Sequence, residues 1–155
     1  MNPVGHHLPA PRIGVDLVPL SRIAELLDPA SGPAIDRMLT EEERELCAGD
    51  AAGTAGRLAA KEAVFKLFGS AGAPLPWRSI EILRAPGGRP LLRLTGRAAR
   101  LAEEAGLGPV DISISHDGGW AVAVAAALAT PHTPPALTAV PTPPLAPPPD
   151  RGEAP

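Results

Sequence analysis

Ten of the chain's 21 prolines fall between Pro131 and Pro155, and that density limits what the rest can be. Proline has no backbone N–H and a fixed φ, so such a stretch carries neither a strand ladder nor a helix. Residues 131–155, PHTPPALTAVPTPPLAPPPDRGEAP, are expected to form a disordered, partly polyproline II tail. Residues 1–11 show no periodic pattern and read as a loose leader. Residues 12–130 remain, the length of one domain. Aromatic residues are 3% of the sequence and tyrosine is absent. The core is therefore built from Ala, Leu, Val and Ile, with Phe65, Phe68, Trp77 and Trp120 as its few large pieces.

Several function classes fall away at once. Net charge is −3, with 17 acidic against 14 basic residues, whereas a general nucleic-acid binder wants a basic excess. No apolar run approaches the roughly 20 residues that span a bilayer, so no membrane role is expected. The start, MNPVGHHLPAPR, lacks the basic and apolar regions of a secretory signal. Cys47 stands alone, which excludes an internal disulfide and fits a reducing cytoplasm.

The pattern from Arg12 onward predicts strand, three helices, hairpin, helix, and a final hairpin. IGVDLV reads as a short, mostly buried strand. Pro19 suits a first helical position, and Leu20, Ile23, Ala24 and Leu27 make one apolar helix face, stopped by DPASGP. Thr40 and Glu43 have the spacing of a capping box. A further helix is expected from about Ala55 to Phe68, with Gly69 as its stop. IEILR and PLLRL alternate around Gly87-Gly88-Arg89, a hairpin signal. Thr95 is placed to cap GRAARLAEEAG, and VDISISH and WAVAVAAAL flank the turn Asp117-Gly118-Gly119. This order predicts an α+β fold, a mostly antiparallel sheet packed with helices.

Three segments place polar residues beside apolar ones. Asp16 lies inside the strand Ile13-Gly14-Val15-Asp16-Leu17, where a carboxylate is costly without a partner or metal; the plainer reading is a strand-end residue capping the next helix. Glu62 and Lys66 are four apart on one helix, ordinarily a solvated ion pair, yet small residues around Lys61 and Glu62 leave room for a ligand. Ser115 and His116 end an alternating strand. Neighbours on a strand point to opposite faces, so they do not make a nucleophile–base pair, and a turn histidine is the plainer reading.

Together, IGVDLVPLSRI, RLAAKEAVFK and ISISHDGGWAVAVA resemble the three signature blocks of the holo-[acyl-carrier-protein] synthases, the short 4′-phosphopantetheinyl transferases. Gly88-Arg89-Pro90 resembles that family's Gly-Lys-Pro element, and the likeness spans about residues 12–128. It implies a 4′-phosphopantetheinyl transferase-like half-domain. The implied reaction moves phosphopantetheine from coenzyme A to a serine of an apo acyl carrier protein and releases adenosine 3′,5′-bisphosphate. By the same resemblance Asp16 and Glu62 hold Mg²⁺, Glu62 or a water it orients takes the serine proton, and Lys66 faces the phosphates. Arg57, Lys61, Ser115 and His116 match coenzyme A-contacting positions, and Arg22 matches an arginine that meets the carrier protein. A single half-domain resembles the short members, homotrimers with sites between subunits. The family belongs to lipid and fatty-acid biosynthesis in the cytoplasm. Two departures stand out: Pro19 where members commonly have Glu, and Leu58 in place of Phe.

Two other readings compete. One is a catalytically weakened relative that only binds a carrier protein, motivated by Pro19. The other is a different Mg²⁺-dependent phosphotransferase; the absence of a Gly-x-x-x-x-Gly-Lys loop excludes the P-loop kind.

Overall fold

The computed structural model describes residues 9–70 and 72–130; the expected tail and most of the expected leader lie outside them. Strand β1 (Ala10–Pro19) leads into helix α1 (Leu20–Leu27), then α2 (Ala34–Met38), α3 (Glu41–Cys47) and the long α4 (Ala51–Leu67). Strands β2 (Ile80–Arg84) and β3 (Pro90–Leu94), helix α5 (Gly96–Glu104), and strands β4 (Leu107–Asp117) and β5 (Trp120–Ala129) complete the order. The strands form two antiparallel sheets, β1-β5-β4 and β2-β3, so the α+β expectation holds.

The inner face of the larger sheet is a wall of alanine. Ala121, Ala123, Ala125, Ala127 and Ala129 of β5 are all buried, and their outward neighbours Val124, Ala126 and Leu128 are exposed. Alternation of this kind is what an antiparallel strand with one covered face requires. Helix α4 covers that wall with its own small residues, Ala55, Ala59, Ala60 and Ala63, all fully buried. Gly14 of β1 makes the tightest approach: a Cβ there would stand 2.0 Å from the carbonyl oxygen of Ala63. Gly56 is also obligatory, because its Cβ would meet Ile114 Cγ2 at 2.8 Å.

Several boundaries differ from the expected ones. Strand β1 begins two residues before Arg12, through Ala10 and Pro11 paired with Ala129 and Leu128. Pro19 closes that strand and occupies the N-cap of α1 rather than its first turn. Helix α2 was not anticipated; five residues leave too short a period to read. Helix α4 starts four residues before Ala55, because the Asp50 carboxylate caps the amides of Ala52 and Gly53. Its glycines look like breakers locally, and packing overrides them. Thr95 holds the N-cap position of α5 without a side-chain bond. Strand β4 extends back to Leu107 through an irregularity between Leu107 and Val110.

The capping box at Thr40 is present, and it does more than cap. Thr40 Oγ1 accepts from the Glu43 amide at 3.4 Å, while the Thr40 amide donates to Glu43 Oε2 at 2.9 Å. Glu43 is fully buried, and Oε2 also accepts from Lys61 Nζ at 2.7 Å; Oε1 accepts from the Ile82 amide at 2.8 Å. Lys61 Nζ donates again to the Trp77 carbonyl at 2.7 Å. Both ions are thereby paired and hydrogen-bonded, and α3, α4 and β2 are tied at one point. Breaking a buried pair by removing one partner costs about 3–5 kcal/mol, whereas apolar replacement of both is often tolerated. Urea denaturation should show Lys61→Met and Glu43→Leu each destabilised by about that amount. The double variant should lose clearly less than the sum of the two.

Candidate active site

The close approach at Gly14 decides where the next inward residue of β1 goes. Asp16, two residues on, meets α4 one turn further along: Lys66 Nζ donates to Asp16 Oδ1 at 2.9 Å and also to the Val15 carbonyl. The aspartate side chain is 15% exposed and the lysine 50%, so the pair sits at a rim open to a ligand. Glu62 lies one turn before Lys66 on the same stripe of α4 and is half-buried. Burial pushes its carboxyl above the ordinary range, the nearby Asp16 charge adds to that, and Lys66 and Arg22 oppose it. Arg22 of α1 and Glu62 also line one small cavity with Val18, Leu58 and Trp77.

Two carboxylates that repel each other beside a rim lysine fit a hard cation. Mg²⁺ typically takes one or two protein carboxylates, with waters and substrate phosphates completing the set. Among the described residues no group of three His, Cys, Asp or Glu donors occurs, so the donor set suits Mg²⁺ better than a metal wanting an all-protein cage. The raised carboxyl of Glu62 also suits a proton acceptor.

The other stripe of α4 faces elsewhere. Arg57 is buried; its Nε donates to the Ile82 carbonyl at 3.1 Å and its guanidinium also reaches the Gly53 carbonyl. It lines a cleft of about 210 Å³ with Arg84, Gly88, Pro90, Ile114 and His116. Three basic side chains around one cleft make a site for an anion. Arg84 was not among the expected residues; the signal was its place at the strand end, across from Pro90 in the hairpin register. Arg89 turns instead to Asp111 at 3.1 Å on the surface.

The expected site residues thus divide. Asp16, Glu62, Lys66 and Arg22 gather at one place, and Arg57 and His116 at a second. Lys61 joins neither, contrary to its expected contact with coenzyme A: its ammonium is 0% exposed and held by Glu43. Burial pushes that ammonium below the usual lysine range, with Glu43 opposing. Ser115 and His116 part company as strand parity demands. His116 pairs with buried Ala121, and Ser115 pairs with Val122 on the sheet's outer face.

Comparison with known proteins identifies the family. The family model of the 4′-phosphopantetheinyl transferase superfamily matches residues 12–125. A holo-[acyl-carrier-protein] synthase of Desulforudis audaxviator is 43% identical over 119 residues, covering 75% of this chain and 91% of the relative. The Helicobacter pylori holo-[acyl-carrier-protein] synthase solved with coenzyme A superposes with a TM-score of 0.66 at 30% identity, covering 75% of this chain and 99% of that one. The Chronobacterium ammoniagenes ACPS–CoA complex gives 0.67 at 32% identity, covering 79% and 99%. The chain belongs to the 4′-phosphopantetheinyl transferase superfamily, and within it to the holo-[acyl-carrier-protein] synthases. It is a phosphopantetheinyl transferase.

The raised Glu62 carboxyl has a consequence for stability. A folded-state pKa above the unfolded one means that the folded chain binds more protons, so ionised Glu62 destabilises the fold at pH values above its folded pKa. Glu62→Gln should therefore melt higher than the wild type at pH 7. The gap should close as pH falls below the ordinary glutamate range of about 4.3, where both states are protonated. Calorimetric melts of both proteins across pH 4–8 check this.

Proposed function

We propose that the chain transfers 4′-phosphopantetheine from coenzyme A to a serine of an apo acyl carrier protein, with Mg²⁺ and in the cytoplasm. The observation that carries this is the contact of Asp16 with Lys66 beside the raised carboxyl of Glu62, all on the rim of one helix–strand junction. Glu62 takes the proton of the serine hydroxyl, directly or through a water. The freed oxygen forms the new bond to phosphorus, and the bond to the oxygen of adenosine 3′,5′-bisphosphate breaks. Lys66 sits where it can turn from Asp16 to the phosphates, since half of its side chain is solvent-exposed. Asp16 and Glu62 would hold a Mg²⁺ ion, which would supply charge neutralisation for the pyrophosphate. Arg57 and Arg84 supply positive charge, and His116 a hydrogen-bonding edge, to the cleft for the nucleotide's phosphates. Arg22, exposed on α1 beside Glu62, is the contact for the acidic carrier protein.

Incubation with coenzyme A, Mg²⁺ and apo-carrier proteins of fatty-acid, polyketide and peptide type, followed by mass spectrometry, tests the reaction directly. One carrier at least should gain the phosphopantetheine mass. Asp16→Ala should slow that gain by at least about a hundredfold while its melting curve stays cooperative, because transition-state stabilisation of several kcal/mol is lost.

The assembly we propose is a homotrimer with sites between subunits. Its support is the outer face of the larger sheet, where Ile13 is 68% exposed, Leu17 53% and Leu128 58%, with Val15 and Val124 between them. Contiguous apolar surface of this kind marks an interaction face. Asp16 and His116 lie on opposite outer strands, two strand spacings across and two residues along, roughly 12 Å of backbone apart. A site drawing Asp16 and Glu62 from one subunit and His116 from the next joins the two clusters, with Ser115 on the outer face at the edge of the same strand. Mixing inactive Glu62→Ala with inactive His116→Ala chains should then restore partial turnover after subunit exchange. A fully active monomer by light scattering would contradict the assembly.

A further inference from the structure

The two-stranded sheet leaves β2 with one edge that no strand covers. At the two ends of the hairpin, the Ala85 amide donates to the Arg89 carbonyl and the Thr95 amide to the Ser79 carbonyl, both at 2.9 Å. These bonds turn the odd-numbered residues of β2 toward β3, so Ile82 turns its amide and carbonyl to the bare edge. That edge lies inside the protein. Ile82 is 1% exposed, and buried backbone groups are costly to leave unpaired. Two side chains stand in for the absent strand: Glu43 Oε1 of α3 accepts from the Ile82 amide at 2.8 Å, and Arg57 Nε of α4 donates to the Ile82 carbonyl at 3.1 Å.

The second of these bonds aims a charge. Arg57 Nη1 is taken by the Gly53 carbonyl at 3.1 Å, so two corners of the planar guanidinium are fixed. Its Nη2 makes no hydrogen bond among the described residues, where Thr54 Oγ1 is the one buried side-chain polar atom without a partner. Nη2 is therefore accessible, and the opening beside Arg57 is the cleft it lines with Arg84. The charge of Lys61 is met by Glu43; that of Arg57 meets no carboxylate among the described residues and is left for an anion in the cleft.

We propose that Glu43 is a positioning residue for nucleotide binding. By holding the edge of β2 at Ile82 it fixes the carbonyl on which Arg57 rests, and so aims the guanidinium at the phosphates. This rests on the reading of that cleft as the nucleotide site. Glu43 is fully buried and touches no ligand itself. Without its carboxylate the Ile82 amide has no acceptor, β2 is released from α3, and Arg84, two residues along the strand, shifts with it. Lys61 does not share the role, since its ammonium bonds Glu43 Oε2 and the Trp77 carbonyl but not Ile82.

The test compares full chains carrying Glu43→Leu with Lys61→Met, Lys61→Met alone, and Arg57→Met, each checked for a cooperative melt. Calorimetric titration with adenosine 3′,5′-bisphosphate reads the cleft. The double variant loses the acceptor without stranding a buried charge, and should bind at least about tenfold more weakly. Lys61→Met keeps Glu43 and should stay within about twofold of the wild type, although losing one partner of a buried pair makes it the less stable of the two. A merely structural role would order affinity as it orders stability. In turnover, the double variant should raise KM for coenzyme A and leave that for the carrier protein unchanged. By nuclear magnetic resonance, the Arg57 Nε–H should exchange slowly with water in the wild type and in Lys61→Met, and quickly in the double variant. Wild-type affinity in the double variant, with Arg57→Met weakened, overturns the positioning role while the cleft stands. Wild-type affinity in Arg57→Met overturns the reading of the cleft and this inference with it. Equal weakening in Lys61→Met and the double variant overturns it too, by showing that affinity follows the ion pair. Free exchange of the wild-type Arg57 Nε–H does so without any variant.

Discussion

Everything in this fold hangs on one backbone-to-backbone contact, that of Gly14 with the Ala63 carbonyl. With no side chain at that point, strand β1 lies directly on α4, and any Cβ would stand 2.0 Å from the carbonyl oxygen, far inside contact distance. The contact fixes both the distance and the rotation of helix against strand. Asp16 then faces Lys66 because it is the next inward residue of the strand, while Val15 and Leu17 face out. The glycine and the aspartate are thus one device: the first brings the elements together, and the second uses the proximity.

Helix α4 is asked to do two things, and its two polar stripes divide them. Arg57 and Lys61, four apart, point toward β2 and are buried; Glu62 and Lys66, also four apart, point toward β1 and remain accessible. The buried stripe anchors the helix to α3 and β2 through Glu43, the Trp77 carbonyl and the Ile82 backbone. Such anchoring resists rotation of the helix about its own axis, which would carry Glu62 away from Asp16. A charged residue next to a catalytic candidate can serve the scaffold alone, and Lys61 does.

Sequence reading found the elements wherever a period or cap was long enough to be read. The Thr40 box, the two hairpins and the inward alternation of WAVAVAAAL all stand as read. It located the cluster of Asp16, Glu62 and Lys66 because motif order along the chain survives folding. It misplaced Lys61, since adjacency to Glu62 in sequence means a 100° turn away on a helix, and the partner that captures it, Glu43, is 18 residues distant. It missed Arg84 because a strand-end arginine looks like any other until the hairpin register sets it beside the cleft.

The alanine wall of β5 makes the mutational neighbourhood of this protein lopsided. A core of Leu and Phe has bulk to trim and can drift in either direction, trading methylenes between facing positions. Ala121, Ala123 and Ala125 have almost nothing to give up, and the helix residues that meet the sheet are alanines and glycines as well. Nearly every substitution across this interface adds volume, and volume added here is felt as separation of α4 from β1 rather than as local repacking. Substitutions on the loops carry no such penalty, but the seam beneath the candidate site can move in one direction only, and that direction opens it.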